Sequence, residues 1–171
     1  QIQAALDALP DLGGKIVLLE GEFHLGDNIL LRQPTGSFRT IKIEGQGGWG
    51  TTLILSDGIN KDMFVTTGSV ANKMLTCIFS NFVANGNYTN NLTAGRFYYN
   101  ASTDSSIQGD ILFDTCFFVN FRSDVIDTSS AWNFNFITSI IESGQAKGIV
   151  IRGGRGDWNI VNSTFNFMAD S

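Results

Sequence analysis

The chain has 171 residues and a formal net charge of −5, with 43% hydrophobic but only 16% charged residues, well under the roughly 25% of an ordinary soluble domain. That length suits one domain with a sizeable core, and nineteen Gly, fourteen Phe and two Pro among abundant Asn, Ser and Thr exclude an all-α bundle. The acidic balance argues against nucleic acid as a partner, since phosphate wants a basic face, and no apolar run approaches the roughly 18 residues that span a bilayer.

Taken in chain order, Ile2, Ala5, Leu6 and Leu9 recur at helical spacing until Pro10 and Gly13-Gly14 stop the pattern, which predicts a short amphipathic helix over residues 1–10. Strand-like runs follow at Lys15–Leu19, Phe23–Leu25, Asn28–Leu31, Thr40–Glu44, Thr51–Leu55 and Met63–Thr66, each broken by Gly, Asp or Asn turns. Gly45-Gln46-Gly47-Gly48-Trp49-Gly50 matches a dinucleotide fingerprint, but the strand-like Thr51–Leu55 stands where that site needs a helix N-terminus. The glycines read as a tight turn.

The later half repeats. Thr76-Cys77-Ile78-Phe79-Ser80-Asn81-Phe82 matches Thr115-Cys116-Phe117-Phe118-Val119-Asn120-Phe121 at five of seven positions, 39 residues on. Weaker copies at Thr138-Ser139-Ile140-Ile141 and Asn162-Ser163-Thr164-Phe165 follow at steps of 23 and 24. A period in the twenties predicts a solenoid in which equivalent side chains stack in columns about 4.8 Å apart. The expected apolar columns are Met74, Phe113, Phe136, Ile160 and Phe79, Phe118, Ile141, Phe165. Thr76, Thr115, Thr138, Asn162 form a polar ladder, followed by Cys77, Cys116, Ser139, Ser163. The longer first interval predicts a projecting loop at 85–108, which separates first coils at 15–84 from later coils at 109–171. Gln1 is not a methionine and Ser171 follows a strand-like run, so the chain reads as a fragment or processed product.

Ile2-Gln3-Ala4-Ala5-Leu6-Asp7-Ala8-Leu9-Pro10, then Gly13-Gly14-Lys15-Ile16-Val17-Leu18-Leu19-Glu20-Gly21-Glu22-Phe23-His24-Leu25, resembles the entry segment of the pectate-lyase-like superfamily. Ile41-Lys42-Ile43-Glu44-Gly45-Gln46-Gly47 with Thr51-Thr52-Leu53-Ile54-Leu55 is similar to the next coil there. The resemblance implies an all-β right-handed parallel β-helix whose N-terminal α-helix caps the open end against edge pairing. It also implies trimeric spikes like phage tailspikes, with an extracellular, cell-surface or virion location. The polygalacturonase-like signatures are missing here. For the calcium-binding acidic cluster of pectate lyases only Asp110, Asp157, Arg152 and Arg155 stand as candidates, so no catalytic residue transfers.

Carboxylates are the best enzymatic lead. If Ile111, Phe113 and Thr115 point inward, strand alternation sends Asp110, Leu112 and Asp114 outward. The next coils put Asn133 and Asp157 in the Asp110 column, and Asn135 and Asn159 beside Leu112. Such a face is a solvated surface, a glycan or calcium site, or a catalytic cleft with Asp110, Asp114 and Asp157 as acids and Asn133, Asn135, Asn159, Arg152 and Arg155 as substrate contacts. No cofactor other than calcium is implied. A Ser-His-Asp triad would need His24, the sole histidine, and the two cysteines read as buried thiols, with a disulfide as the alternative.

Asn87, Asn91, Asn100 and Asn162 begin glycosylation sequons of the kind an Asn- and Thr-rich composition produces by chance, the first three being the accessible ones, in the predicted loop, if the host glycosylates; Arg155-Gly156-Asp157 reads as a coil corner rather than an adhesion motif. Phe117, Ile137, Ile140 and Val161 are expected to alternate outward as a sticky face that a homo-oligomer would bury. Together these features predict a spike or surface module that binds polysaccharide or cell-surface glycan. The alternatives are a polysaccharide lyase or glycoside hydrolase and a purely structural stalk.

Overall fold

The computed structural model describes residues 1–67, 73–93, 95–100, 108–129, 131–143, 148–152 and 156–167. Helix α1 (Ile2–Asp7) is too short to be stable alone, so it depends on burying Ile2 and Leu6. The chain then repeats one unit. The first two units are β1 (Gly13–Val17), β2 (Gly21–Leu25), β3 (Ile29–Arg32) and β4 (Phe38–Glu44), β5 (Thr51–Leu55), β6 (Phe64–Thr67). In the third and fourth, the first two strands run together as β7 (Met74–Asn85) and β9 (Gln108–Val119), followed by β8 (Tyr98–Asn100) and β10 (Ile126–Thr128). The fifth is β11 (Phe134–Ile137), β12 (Ile140–Ser143) and β13 (Ile149–Ile151); the sixth contributes β14 (Trp158–Val161) and β15 (Thr164–Phe167).

Every strand pair is parallel and joins equivalent strands of successive units. Three ladders result: β1-β4-β7-β9-β11-β14, then β2-β5-β7-β9-β12-β15, then β3-β6-β8-β10-β13. The protein is therefore mostly β, built from parallel sheets. The first two ladders meet at a corner where Asn81, Thr115, Thr138 and Asn162 have φ of 62°, 54°, 47° and 50°. One left-handed residue turns the chain there without a loop, which is why β7 and β9 each serve both ladders. The next column closes the corner: Ser139 Oγ accepts from Cys116 N (3.0 Å), and Ser163 Oγ accepts from Ser139 N (3.2 Å).

One aromatic core serves all three ladders. Phe79 and Phe113 stack at 5.3 Å with planes 8° apart, Phe113 meets Phe136 at 6.0 Å, and Phe64 from the third ladder lies 5.1 Å from Phe79. Each such pair adds about 0.5–1.5 kcal/mol beyond its buried area.

The register differs from expectation in the third unit. Phe79 pairs with Phe113 and Ala84 with Phe118, so Phe79 replaces Met74 in the first column and Ala84 replaces Phe79 in the second. Asn81, not Thr76, shares the left-handed corner with Thr115. The matching heptapeptides thus lie five residues out of register, because the bend sets the alignment. Cys77 consequently faces Ile111 and Cys116 faces Phe82; both cysteines are buried and free.

The predicted loop is also corrected: Tyr98–Asn100 is β8, inside the five-stranded sheet. Residues before it are stapled to the preceding unit. Asn87 Nδ2 and Asn90 Nδ2 both donate to Asp57 Oδ1 (2.8 and 3.0 Å), and Asn60 Oδ1 accepts from Leu92 N and Thr93 N. Residues 94 and 101–107 lie outside the described residues.

Candidate functional site

The outward positions of β9 and the strands stacked on it present the predicted acid and amide columns. Asn135 pairs with Leu112 on one side and with Asn159 on the other, as the sequence register requires. Asn133 Nδ2 donates to Asp110 Oδ1 at 2.7 Å, and Asn133 Oδ1 accepts from the Asp157 backbone N–H at 3.3 Å. Asn159 Nδ2 donates to Asn135 Oδ1 at 3.0 Å. These residues form one surface, graded from half-buried Asp110 to exposed Asp157, and Trp132 beside Asn133 is 45% exposed.

The other predicted contacts do not join it. Asp114 stands further along β9 against Ser80 and Ile137, and its Oδ1 accepts from Thr115 Oγ1 at 3.0 Å. Arg152 follows β13 in the third ladder, where its Nε and Nη2 clamp Asp127 at 3.0 and 2.6 Å. Arg155 lies outside the described residues. Among the described residues no three His, Cys, Asp or Glu side chains gather where they could hold a metal ion.

Asp127 belongs to a network that the sequence reading missed. Arg96 Nε and Nη2 grip Asp62 at 2.9 and 2.8 Å, Arg96 Nη1 reaches Asp127 at 2.8 Å, and the guanidinium lies 3.5 Å over the Tyr99 ring. The chain Asp62, Arg96, Asp127, Arg152 thus rivets four successive units along the third ladder, with the Asp127 side chain only 2% exposed. Alternating charges at spacings of 34, 31 and 25 residues were the available signal. Each carboxylate is fully engaged by arginine, which suits a staple better than a reaction centre.

Other candidates resolve individually. Burial pushes the Cys77 thiol up to about 12 and raises Cys116 as well, which disfavours the reactive thiolate at both. His24 lies 3.6 Å from Glu22 in a cavity of about 590 Å³ whose lining contains no serine, cysteine or threonine, so that cavity assembles no triad. The sequon expectation reverses. Asn91 and Asn100 are fully buried and Asn87 Nδ2 is spent on Leu55 O and Asp57, whereas Asn162 is exposed.

Of the predicted sticky face, Ile140 and Val161 are exposed, Ile137 and Phe117 half-buried, and Trp49 covers Phe117. Among the described residues no helix is long and apolar enough to cross a membrane. Comparison with protein families, curated proteins and solved structures finds no match for this chain.

Proposed function

We propose that the chain is a right-handed parallel β-helix of the pectate-lyase-like kind whose outer acid and amide columns bind a polysaccharide. The fold reading is supported by three parallel ladders around one core, with each strand paired to the third strand after it or its fused equivalent. Handedness follows from the rule that parallel crossovers are right-handed in about 98% of cases. In this reading the module belongs to an extracellular, cell-surface or virion protein.

The observation that carries the binding role is the Asp110, Asn133, Asp157 relay beside the Asn135, Asn159 pair. Asn135 uses one acceptor and Asn159 one donor within the columns, and Asn133 one of each, so all three keep further hydrogen-bonding capacity for a sugar hydroxyl, which both donates and accepts. Trp132 alongside supplies an aromatic surface.

Binding fits better than cleavage. Asp110 and Asp157 stand two units apart, roughly 9.6 Å between backbones at the sheet spacing, and the Asn133 side chain bonds Asp110 in the interval an inverting hydrolase leaves for water.

The test is a glycan array on the whole chain, followed by titration of any retained oligosaccharide. Asn135→Ala combined with Asn159→Ala should weaken binding about tenfold, the scale of one or two lost hydrogen bonds, with no reducing ends released. An array that retains nothing, or unchanged affinity in the double variant, overturns this assignment.

A further inference from the structure

A second feature stands at the corner between the first two ladders. Gly47 and Gly48 have φ of +90° and +47°, a conformation that glycine adopts without cost. Gly47 N donates to Asn81 O at 2.9 Å and Gly50 N to Gly47 O at 3.0 Å, so the turn is pinned to the next unit. The residue it holds outward is Trp49, 71% exposed yet fixed edge-to-face against Phe117 at 5.2 Å and 87°. Between Trp49, Phe117, Val83 and Ile140 runs a groove of about 240 Å³.

Two observations set it apart from a stray apolar patch. First, Thr115 and Thr138 line it, each in the left-handed conformation that β-branched residues rarely take. Asn81 and Asn162, the next members of the same corner column, are asparagines, which tolerate that conformation, and they do not line the groove. Threonine thus replaces the comfortable residue only where the column borders the groove, and such strain clusters at binding sites. Second, none of the nine lining residues is charged, although the chain carries −5.

The surroundings select an uncharged, amphipathic occupant. An aromatic face is electron-rich and attracts the polarised C–H groups of a pyranose, and hydroxyls at the rim suit its hydroxyls. Thr115 Oγ1 donates to Asp114 and keeps its lone pairs for a ligand. The groove lies across the corner from the amide columns: Asp110, Leu112 and Asp114 precede the turn at Thr115 and Phe117 follows it, all in one strand, β9. We propose that this groove is a subsite for a neutral sugar ring, stacked on Trp49 and hydrogen-bonded by Thr115 and Thr138. The inference rests on the glycan-binding reading above and adds a separate contact region and a preference for neutral sugars.

The experiment is calorimetric titration of the whole chain with cellohexaose, xylohexaose, mannohexaose and oligogalacturonate, with light scattering in the same buffer. One neutral hexasaccharide should bind; Trp49→Ala should weaken it at least tenfold with the melting transition retained, and Trp49→Phe should restore most of the affinity. Wild-type affinity in Trp49→Ala, with loss in Asn135→Ala/Asn159→Ala, overturns the groove and leaves the amide face standing. The reverse pattern keeps the groove and removes the face. Binding of oligogalacturonate alone overturns the neutral preference, and failure of all four sugars overturns both readings. A concentration-dependent mass that Trp49→Ala abolishes assigns the groove to a second copy and overturns the sugar subsite.

Discussion

The first and the last described units of the stack bury their core columns differently. At the first unit, Ile2 and Leu6 of α1 are buried against the core, and Gln3 completes the edge of β3: its Oε1 accepts from Leu30 N at 2.7 Å and its Nε2 donates to Leu30 O at 3.3 Å. Those are the two bonds a neighbouring strand would supply, so one side chain stands in for a strand. In the last described unit, Trp158 and Ile160 occupy the columns of Phe134 and Phe136, which are wholly buried, yet they are 50% and 54% exposed. Burial here is conferred by the units above and below a residue rather than by which way its side chain points.

The largest test compares two members of one column. Phe113 touches Phe79 and Phe136 on both sides and is wholly buried, whereas Ile160 is covered on one side. Phe113→Ala should cost about 3–5 kcal/mol, the range for emptying a packed aromatic site, and Ile160→Ala under about 1 kcal/mol, as for exposed positions. Urea unfolding midpoints of the two variants read the difference; equal costs would show that Ile160 is covered as fully as Phe113.

That contrast bears on what could be read from the chain. The 23- and 24-residue intervals were legible because one small polar residue turns the corner in each unit, so columns from Phe113 to Ile160 and from Phe118 to Phe165 are those expected. The third unit misled because its heptapeptide likeness offered a stronger local signal than the lone left-handed Asn81, and φ is invisible in sequence until the fold imposes it. The acid and amide face was read correctly at Asp110, Asn133, Asn135 and Asn159, since strand alternation alone determines it. Arg152 was misread because side-chain reach across units decides its partner, and Asp127 was hidden in an unremarkable strand. Trp49 escaped notice because its glycines were explained by the turn, leaving unasked what the turn displays.

A smaller effect is expected from the edge substitute itself. Gln3→Ala removes both bonds to Leu30 and leaves the β3 edge to water, which should cost about 1–2 kcal/mol. Gln3→Glu keeps an acceptor for Leu30 N but turns a carboxylate oxygen toward Leu30 O and Asp7 Oδ1, so at neutral pH it should cost at least as much as alanine. Hydrogen exchange at the Leu30 amide is the direct readout. Protection that survives Gln3→Ala would mean that something other than this amide closes the edge.

The smallest effect lies beside the cap and depends on pH. Asp11 receives the backbone N–H groups of Thr35 and Gly36 at 2.9 Å each, joining the segment after α1 to the approach of β4. Side-chain and backbone hydrogen bonds from Thr35, then the Gly36 bond, hold its carboxyl down at about 2, from an ordinary value of 3.8. A carboxyl lowered by folding stabilises the folded state above its unfolded value and loses that contribution as pH falls through its folded value. The contribution should therefore be complete above about pH 4 and fade toward pH 2. Asp11→Asn is the neutral isostere of the protonated acid, so the melting temperatures of wild type and variant should differ near pH 6 and converge near pH 2. A gap that stays constant across that range would assign the effect to packing rather than to charge. It would also remove Asp11 from the set of contacts that hold the first unit to the second.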